Sequence, residues 1–478
     1  MEAPKKIYLI GICGTGMAAL AAMLKSRGFQ VCGADENAYP PMSTFLSEQG
    51  IPVETGFRAS NIISADPDLV VIGNALSRGN PEIEYVLNEK FDFVSMPAAL
   101  SQFFIHGKYS CVVAGTHGKT TTTSLLAWIL EVAQTQPGFF VGGIPNNFGQ
   151  GFQLGNGKYF VSEGDEYDSA FFDKGPKFLH YKPDLLIINN IEYDHADIYN
   201  NLEEIKTSFR RLINIVPGNG HIIANGDDPV MAEMIEECFS QVHSFGFSEK
   251  AEWRAGDLRF DVNGASFSIT QNNQPVCKVI SPMMGKHNIL NVLAAFIAAH
   301  LLGLSTARII RAIETFKGVK RRMTQLANVN GVIVFEDFAH HATAVQETID
   351  GVRLRYPDRR IWAIFEPRTA SAKRKVFEST YYHAFDKADQ VVFAAMHRPE
   401  KVPETERISI ANIVDQLCRR NITARWLTTN EELLRFLPVE VRHGDIFLFM
   451  SNGNFDGIPG RFVRALAEIN EKRGVEDE

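Results

Sequence analysis

Cysteine is scarce in this chain: six in 478 residues, at positions 13, 32, 111, 238, 277 and 418, with no Cys-x-x-Cys pair among them. That scatter excludes a disulfide scaffold and a cysteine-ligated zinc ribbon, and several of the six lie inside apolar strand patterns as reduced core residues do. Positive charge is also short, with a formal net charge of −8. A nucleic-acid partner is therefore not expected, because such proteins carry a basic surface. Arginine and lysine do gather at Lys320-Arg321-Arg322 and Lys373-Arg374-Lys375, either as solvated faces or as contacts for an anionic small molecule. No apolar run approaches the roughly 20 residues needed to span a bilayer, so no membrane partner is expected. Lys5-Lys6 and the apolar residues after them imitate the start of a secretory leader, but Gly11, Gly14 and Gly16 break the run. A cytoplasmic protein is the expectation. Low-complexity tracts and internal repeats are missing too.

What is present is an alternation of strand and helix patterns long enough for about three domains. Residues 1–106 read as strands at Ile7–Ile10, Gln30–Ala34 and Leu69–Ile72, with a helix at Met17–Ser26. Residues 107–322 carry apolar strands at Tyr159–Ser162, Leu185–Asn189 and His221–Ala224, an alternating antiparallel insertion over 251–282, and a long apolar helix about Leu290–Leu302 stopped by Gly303. Residues 323–478 alternate again, with strands at Val332–Glu336, Ile361–Phe365, Gln390–Ala394 and Ile446–Met450. The fold class is α/β in three domains. A Rossmann-like N-terminal domain precedes a central P-loop ATPase-type α/β domain with a small β insertion, and a C-terminal Rossmann-like α/β domain follows.

The richest stretch is Cys111-Val-Val-Ala-Gly115-Thr116-His117-Gly118-Lys119-Thr120-Thr121-Thr-Thr123. A short buried strand, a glycine turn and a helix opening on hydroxyls describe a phosphate cradle. Gly115 and Gly118 admit an anion close to the backbone, and the helix N-terminus presents its N–H groups to it. Lys119 brings a compact charge for outer phosphates, and Thr120 a hydroxyl for Mg²⁺. Val113 stands where the usual nucleotide loop has glycine, so this is a shortened Gly-x-x-Gly-Lys-Thr form. Gly-Lys-Thr also arises by chance in proteins that bind no nucleotide.

The turn Gly14-x-Gly16-x-x-Ala19, with Asp35 closing the second strand, fits a dinucleotide fingerprint. Alone it does not separate NAD from another pyrophosphate ligand, nor from tight helix–strand packing without a ligand. Glu163 opens an acidic group, Glu163-Gly-Asp165-Glu166-Tyr-Asp168, read as a Mg²⁺ site or as an acidic helix start. His195 follows an apolar strand in company with Glu192, Asp194 and Asp197, which suits a metal or catalytic role. Asn288 and Asn291, three apart, share a helix face that suits a base edge; helix capping by Asn288 competes with that reading.

Together and in this order these pieces resemble the Mur ligases, the ATP-dependent amide ligases of bacterial cell-wall assembly. Residues 1–106 resemble their UDP-sugar-binding domain, through Gly11-x-x-Gly14-Thr15-Gly16-Met17 and Asp35. Residues 107–322 resemble the ATP-binding domain, through Gly115 to Thr121, Glu163, Asp194-His195 and Gly285-Lys-His-Asn-Ile-Leu-Asn291. Residues 323–478 resemble the C-terminal ligase domain, with Arg321-Arg322 just before it and Asp337-Phe-Ala-His-His341 within it. Some segments are similar to the branch that adds L-alanine to UDP-N-acetylmuramate. Others, Ser162 to Asp173, His180-Tyr-Lys-Pro183 and Phe365-Glu-Pro-Arg368, resemble the branch that attaches the murein tripeptide L-alanyl-γ-D-glutamyl-meso-diaminopimelate to the same sugar.

The resemblance implies ATP and Mg²⁺ as cofactors, UDP-N-acetylmuramate and the tripeptide as partners, and a monomer or weak homodimer. It assigns Lys119 and Arg322 to the β/γ phosphates, Thr120 and Glu163 to one Mg²⁺, and His195 to a second. Asn288 and Asn291 would meet adenine, Asp337 the ribose, and His341 and Arg368 the incoming peptide. Several family members carry a carbamylated lysine whose match here is Arg210, with Lys206 a turn earlier, so that modification is not expected. The L-alanine-adding reaction and, more remotely, an NAD-dependent oxidoreductase are the competing readings.

Overall fold

The computed structural model describes residues 5–476 apart from 197 and 237, so the expectation for Asp197 lies outside the described residues. Contacts divide the chain into two compact units. The first comprises Met1–Ile191, Leu202–Trp253 and Ala294–Ala312; the second comprises Glu192–Asn201, Arg254–Leu293 and Ile313–Glu478.

Within the first unit, a five-stranded parallel sheet runs in the order Val53–Thr55, Gln30–Asp35, Lys6–Ile10, Leu69–Ile72, Phe93–Ser95. Lys6–Ile10 and Leu69–Ile72 are buried almost throughout, which is why they read as continuous apolar runs rather than alternating ones. The helix Thr15–Ser26 buries Met17, Leu20, Met23 and Leu24 among its apolar residues. Each such large side chain contributes about 1.5–3 kcal/mol by leaving water.

A second sheet in this unit places Tyr109–Ala114 between Leu185–Ile188 and Tyr159–Glu163. His221–Asn225 and Gln241–Gly246 extend it parallel on one side, and Gly138–Phe140 on the other. This order sets what flanks the Gly115–Lys119 turn. The strand feeding the phosphate turn has Asn189 at the end of one neighbour and Glu163 at the end of the other.

In the second unit, strands Gly264–Gln271 and Gln274–Ser281 pair antiparallel within the expected insertion. A six-stranded sheet follows, in the order Thr324–Val329, Val332–Asp337, Ile446–Met450, Ile361–Phe365, Gln390–Phe393, Thr423–Trp426, parallel except for its first pair. One face is covered by Val345, Ile349 and Val352 of helix Ala342–Arg355 and by Ile413 and Leu417 of helix Ile410–Arg419. The other is covered by Leu433 and Leu437 of helix Asn430–Glu440 and by Phe462 and Leu466 of helix Ile458–Glu476. Among the described residues no helix is long and apolar enough to cross a membrane.

Candidate functional site

The phosphate turn is held from both flanks. Thr116 N–H donates to the Asn190 carbonyl at 2.9 Å, and His117 N–H to Asn190 Oδ1 at 2.8 Å. Gly115 sits at φ +125°, and a β-carbon there would lie 3.0–3.1 Å from the Asn189–Asn190 backbone. Only glycine satisfies both the conformation and that close approach. Gly118, at φ +80°, turns the chain into helix Lys119–Val132. Asn189 amide donates to Thr122 Oγ1 at 3.2 Å, while Thr123 and Ser124 hydroxyls return to the Lys119 and Thr120 carbonyls. Thr121 is buried beside them. The threonine run thus divides its work: Thr122 and Thr123 brace the helix start, and the Thr120 hydroxyl turns toward Glu163.

Lys119 Nζ lies 2.8 Å from Glu166 Oε2 and 2.7 Å from the Gly115 carbonyl, with both side chains almost fully buried. Burial pulls the ammonium's pKa down. The charges of Glu166 and Asp165 outweigh that and hold it above its ordinary value, so the lysine stays charged. Removing either partner of such a buried pair costs about 3–5 kcal/mol, because the other charge is stranded. Thr120 Oγ1 donates to Glu163 Oε1 at 2.8 Å, and Gly142 N–H to Glu163 Oε2 at 2.8 Å. Burial first, and then the Asp165 carboxylate, push Glu163 above the usual carboxylate range. Crowded carboxylates beside a helix N-terminal hydroxyl are a donor set that fits Mg²⁺, a hard cation relieving that repulsion. The sequence places Glu166 in the acidic group read as a Mg²⁺ site or an acidic helix start; the structure pairs it with Lys119.

The other glycine turn of this unit is closed differently. Gly11 and Ile12 N–H groups both donate to the Ala34 carbonyl, and Asp35 Oδ2 accepts from Cys13 N–H at 2.9 Å. Gly14 caps helix Thr15–Ser26, and a β-carbon on Gly16 would meet Met96 Cε at 3.2 Å. Met17 is buried. Gly11, Gly14, Thr15, Gly16, Met17 and Asp35 therefore form one structure, in which Asp35 Oδ2 ties the turn. Lys206 and Arg210 both pair with Glu233, at 2.8 and 3.0 Å.

In the second unit, Asp194 is buried and accepts from Ser371 Oγ at 2.6 Å. Burial alone would raise its pKa, but His195, His340, His341 and the Ser371 hydroxyl hold it well below the usual carboxylate range. His195 follows at φ +52°. His341 Nδ1 lies 3.6 Å from Glu192 Oε2, an oxygen that accepts a hydrogen bond from Thr343 Oγ1 at 2.6 Å. Asn288 and Asn291 meet on one helix face as expected, Nδ2 of Asn291 donating to Oδ1 of Asn288 at 3.0 Å. The amide of Asn288 donates to the Met284 carbonyl. Arg322 packs over the Phe338 ring at 4.8 Å. Asp337 accepts from Met323 and Ala339 N–H groups at 2.7 and 2.8 Å, which makes it an organiser of its own turn. Arg368 Nη1 lies 3.5 Å from Glu366 and 3.9 Å from Asp456.

Comparison with known proteins matches the three parts of the chain in turn. The Mur ligase family catalytic-domain model covers 6–108, the Mur ligase middle-domain model 113–299, and the Mur ligase glutamate ligase domain model 321–453. A UDP-N-acetylmuramate–L-alanyl-γ-D-glutamyl-meso-2,6-diaminoheptandioate ligase of Escherichia coli K12 is 38% identical over 98% of this chain and 99% of its own. A UDP-N-acetylmuramate–L-alanine ligase of Clostridium acetobutylicum is 31% identical over 96% of this chain and 97% of its own. The crystal structure of a murein peptide ligase from Psychrobacter arcticus superposes with a TM-score of 0.71 at 33% identity, over 97% of this chain and 98% of that one.

Proposed function

This chain belongs to the Mur ligase family, and from that premise we propose that it is an ADP-forming ligase joining L-alanyl-γ-D-glutamyl-meso-diaminopimelate to UDP-N-acetylmuramate. The observation that carries this reading is near-full-length identity to a ligase named for that tripeptide, higher than to a relative named for L-alanine. The reaction belongs to the reuse of cell-wall peptide in the cytoplasm. The domain limits that go with it are 1–106 for the UDP-sugar, 107–322 for ATP, and 323–478 for the ligase C-terminal domain.

A carboxylate resists attack by an amine at neutral pH. Converting it to an acyl phosphate supplies a leaving group, after which the peptide's amine attacks and phosphate departs. For phosphoryl transfer the protein supplies position and fixed charge rather than covalent chemistry. Lys119 holds the outer phosphates, kept protonated and aimed by Glu166. The N–H groups of the 115–119 turn cradle them, and Arg322 adds a second cation. Thr120 and Glu163 would hold one Mg²⁺ and His195 another, neutralising charge on the phosphates. Asn288 and Asn291 offer an amide face to adenine, and Asp337 shapes the turn assigned to the ribose. The 11–17 turn and Asp35 serve the UDP-sugar. His341, with the Glu192 carboxylate 3.6 Å away, and Arg368 meet the peptide.

The test is product formation with ATP, Mg²⁺ and UDP-N-acetylmuramate, offering the tripeptide and L-alanine in separate reactions. The tripeptide is expected to drive the faster ADP release with a matching adduct by mass. Faster turnover with L-alanine would replace this reading with the alanine-adding one.

A further inference from the structure

Away from the phosphate turn, the second sheet of the first unit brings two histidines and an acid together. Strands His221–Asn225 and Gln241–Gly246 run parallel, with His221 opposite Gln241 and Ile223 opposite His243. Side chains alternate along a strand and match across a register, so His221, Ile223 and His243 share one face. His221 opens its strand, whereas the phosphate turn leaves the carboxyl end of Tyr109–Ala114 in the same parallel set. The histidine pair therefore belongs to the opposite end of the strands from the phosphate turn.

The two rings face each other through nitrogen. His221 Nδ1 lies 3.2 Å from His243 Nε2, with ring centroids 5.4 Å apart and planes inclined at 41°. Two imidazolium ions would repel at that distance, so at least one of the facing nitrogens keeps a lone pair to give. The other nitrogen of His243, Nδ1, is buried and makes no hydrogen bond among the described residues, yet Glu252 Oε2 lies 3.4 Å from it. Glu252 is held there by its backbone: its N–H donates at 2.9 Å to Oγ of Ser244, the residue after His243. The 246–252 connection that carries it is tied down by Asp227, which accepts from Ser248 N–H at 3.1 Å, and by the fully buried Trp253. All three side chains thus stand on fixed backbone.

A proton shared between the rings would account for the spacing alone. The acid behind His243 adds a second feature of metal centres, in which a ligating imidazole donates its other N–H to a carboxylate that fixes its tautomer. Zn²⁺ binds imidazole nitrogen at about 2.0–2.1 Å in tetrahedral geometry, which sets two such nitrogens about 3.3 Å apart. Mg²⁺ takes oxygen ligands and does not suit the pair. We infer that His221 Nδ1 and His243 Nε2 form a binding site for a zinc-class divalent cation, with Glu252 orienting His243 and water completing the coordination. A cation there pins the two strands and the 246–252 connection together. The site stands apart from the ligase reaction proposed above and does not depend on it.

The test is calorimetric titration of the full-length protein with Zn²⁺ in excess Mg²⁺. The chain also carries six free cysteines, so the readout is the difference between wild type and variants. His221→Gln, which keeps a hydrogen-bonding group in place, is expected to lose one equivalent of bound Zn²⁺. Glu252→Gln should keep that equivalent with its affinity lowered about 10- to 100-fold. Zn²⁺ should raise the melting temperature of wild type more than that of His221→Gln. Without Zn²⁺, both variants should consume ATP at the wild-type rate. Wild-type protein labelled with ¹⁵N-histidine gives a check that needs no variant: Zn²⁺ should convert one ring to the Nδ1-bound pattern and a second to the Nε2-bound pattern. Equal Zn²⁺ stoichiometry and affinity in wild type and both variants would overturn the inference and leave a proton-sharing pair. So would a titration in which no two histidine rings change in that way.

Discussion

The chain builds a glycine turn from strand to helix twice, at 11–17 and at 115–121, and the two are equipped for different tasks. Each follows a buried parallel strand and opens a helix whose N–H groups are available to an anion. The first is closed by backbone bonds to Ala34 and by Asp35, whose carboxylate faces the turn. The second is closed by Asn189 and Asn190, neutral residues that leave the charge to Lys119, Glu163 and Glu166. A strand–turn–helix therefore supplies only the cradle; the neighbouring strand ends decide whether phosphate is merely held or transferred. A turn braced by an acid suits a pyrophosphate that stays intact, and a turn with a fixed ammonium and a carboxylate pair suits one that is cleaved.

Removing the charge from the second turn should break the comparison most severely. Lys119→Met in the background of Glu166→Gln, which avoids stranding a buried charge, is expected to lower turnover about 10³-fold. Thermal melting near that of wild type would show that chemistry and not folding was lost. Undiminished ligation would remove the distinction between the turns.

A methyl group separates them next. Gly115→Ala forces a β-carbon against the backbone of residues 189–190, and Gly11→Ala against the Leu76 side chain, which can move. Nucleotide affinity measured by fluorescence titration should fall at least about tenfold for the first. For the second, the UDP-sugar KM should rise less than that; equal losses would mean that the backbone approach at Gly115 is not special.

Asp35→Asn keeps an acceptor for Cys13 N–H but removes its charge. The expected result is a rise of about fivefold in the KM for the UDP-sugar with the KM for ATP unchanged. A change in the ATP constant instead would assign this turn to the wrong ligand.

The smallest effect concerns the packing of the sheet that carries the first turn. Glu82 is fully buried in the first sheet's shell and accepts from Tyr8 and Asn61. Burial holds its pKa above the carboxylate range, and those donors only partly offset it. A raised folded pKa favours the protonated acid in the folded state. That stabilisation is complete below about pH 4.3, the unfolded value, and is lost as pH climbs through the folded one. Melting temperature across that window should decline less steeply in Glu82→Gln than in wild type; identical slopes would locate the titration elsewhere.

Most of the architecture was legible because buried parallel strands write themselves as unbroken apolar runs. Ile7–Ile10, Leu185–Asn189, Ile361–Phe365 and Ile446–Met450 fall on observed strands to within a residue. The long apolar helix begins earlier than its apolar run, at Lys286, because Lys286, His287 and Asn288 break the pattern without breaking the helix. The short edge strands Val53–Thr55 and Thr423–Trp426 carry polar or half-exposed residues, so no apolar run marks them. The phosphate cradle could be read because its parts are consecutive in the chain. Its braces could not: Asn190 is 73 residues from His117, and Glu166 is 47 from Lys119. The same holds for Ser371 on Asp194 and for Asp456 beside Arg368, which only the sheet order brings together.

In the proposed reaction a carboxylate is energised by phosphoryl transfer at Lys119 before the amine attacks. UDP-N-acetylmuramate labelled with ¹⁸O in its lactyl carboxylate tests it directly, through the isotope content of the inorganic phosphate released when the tripeptide is joined. One labelled oxygen per phosphate is expected. Amide product accompanied by unlabelled phosphate would contradict it.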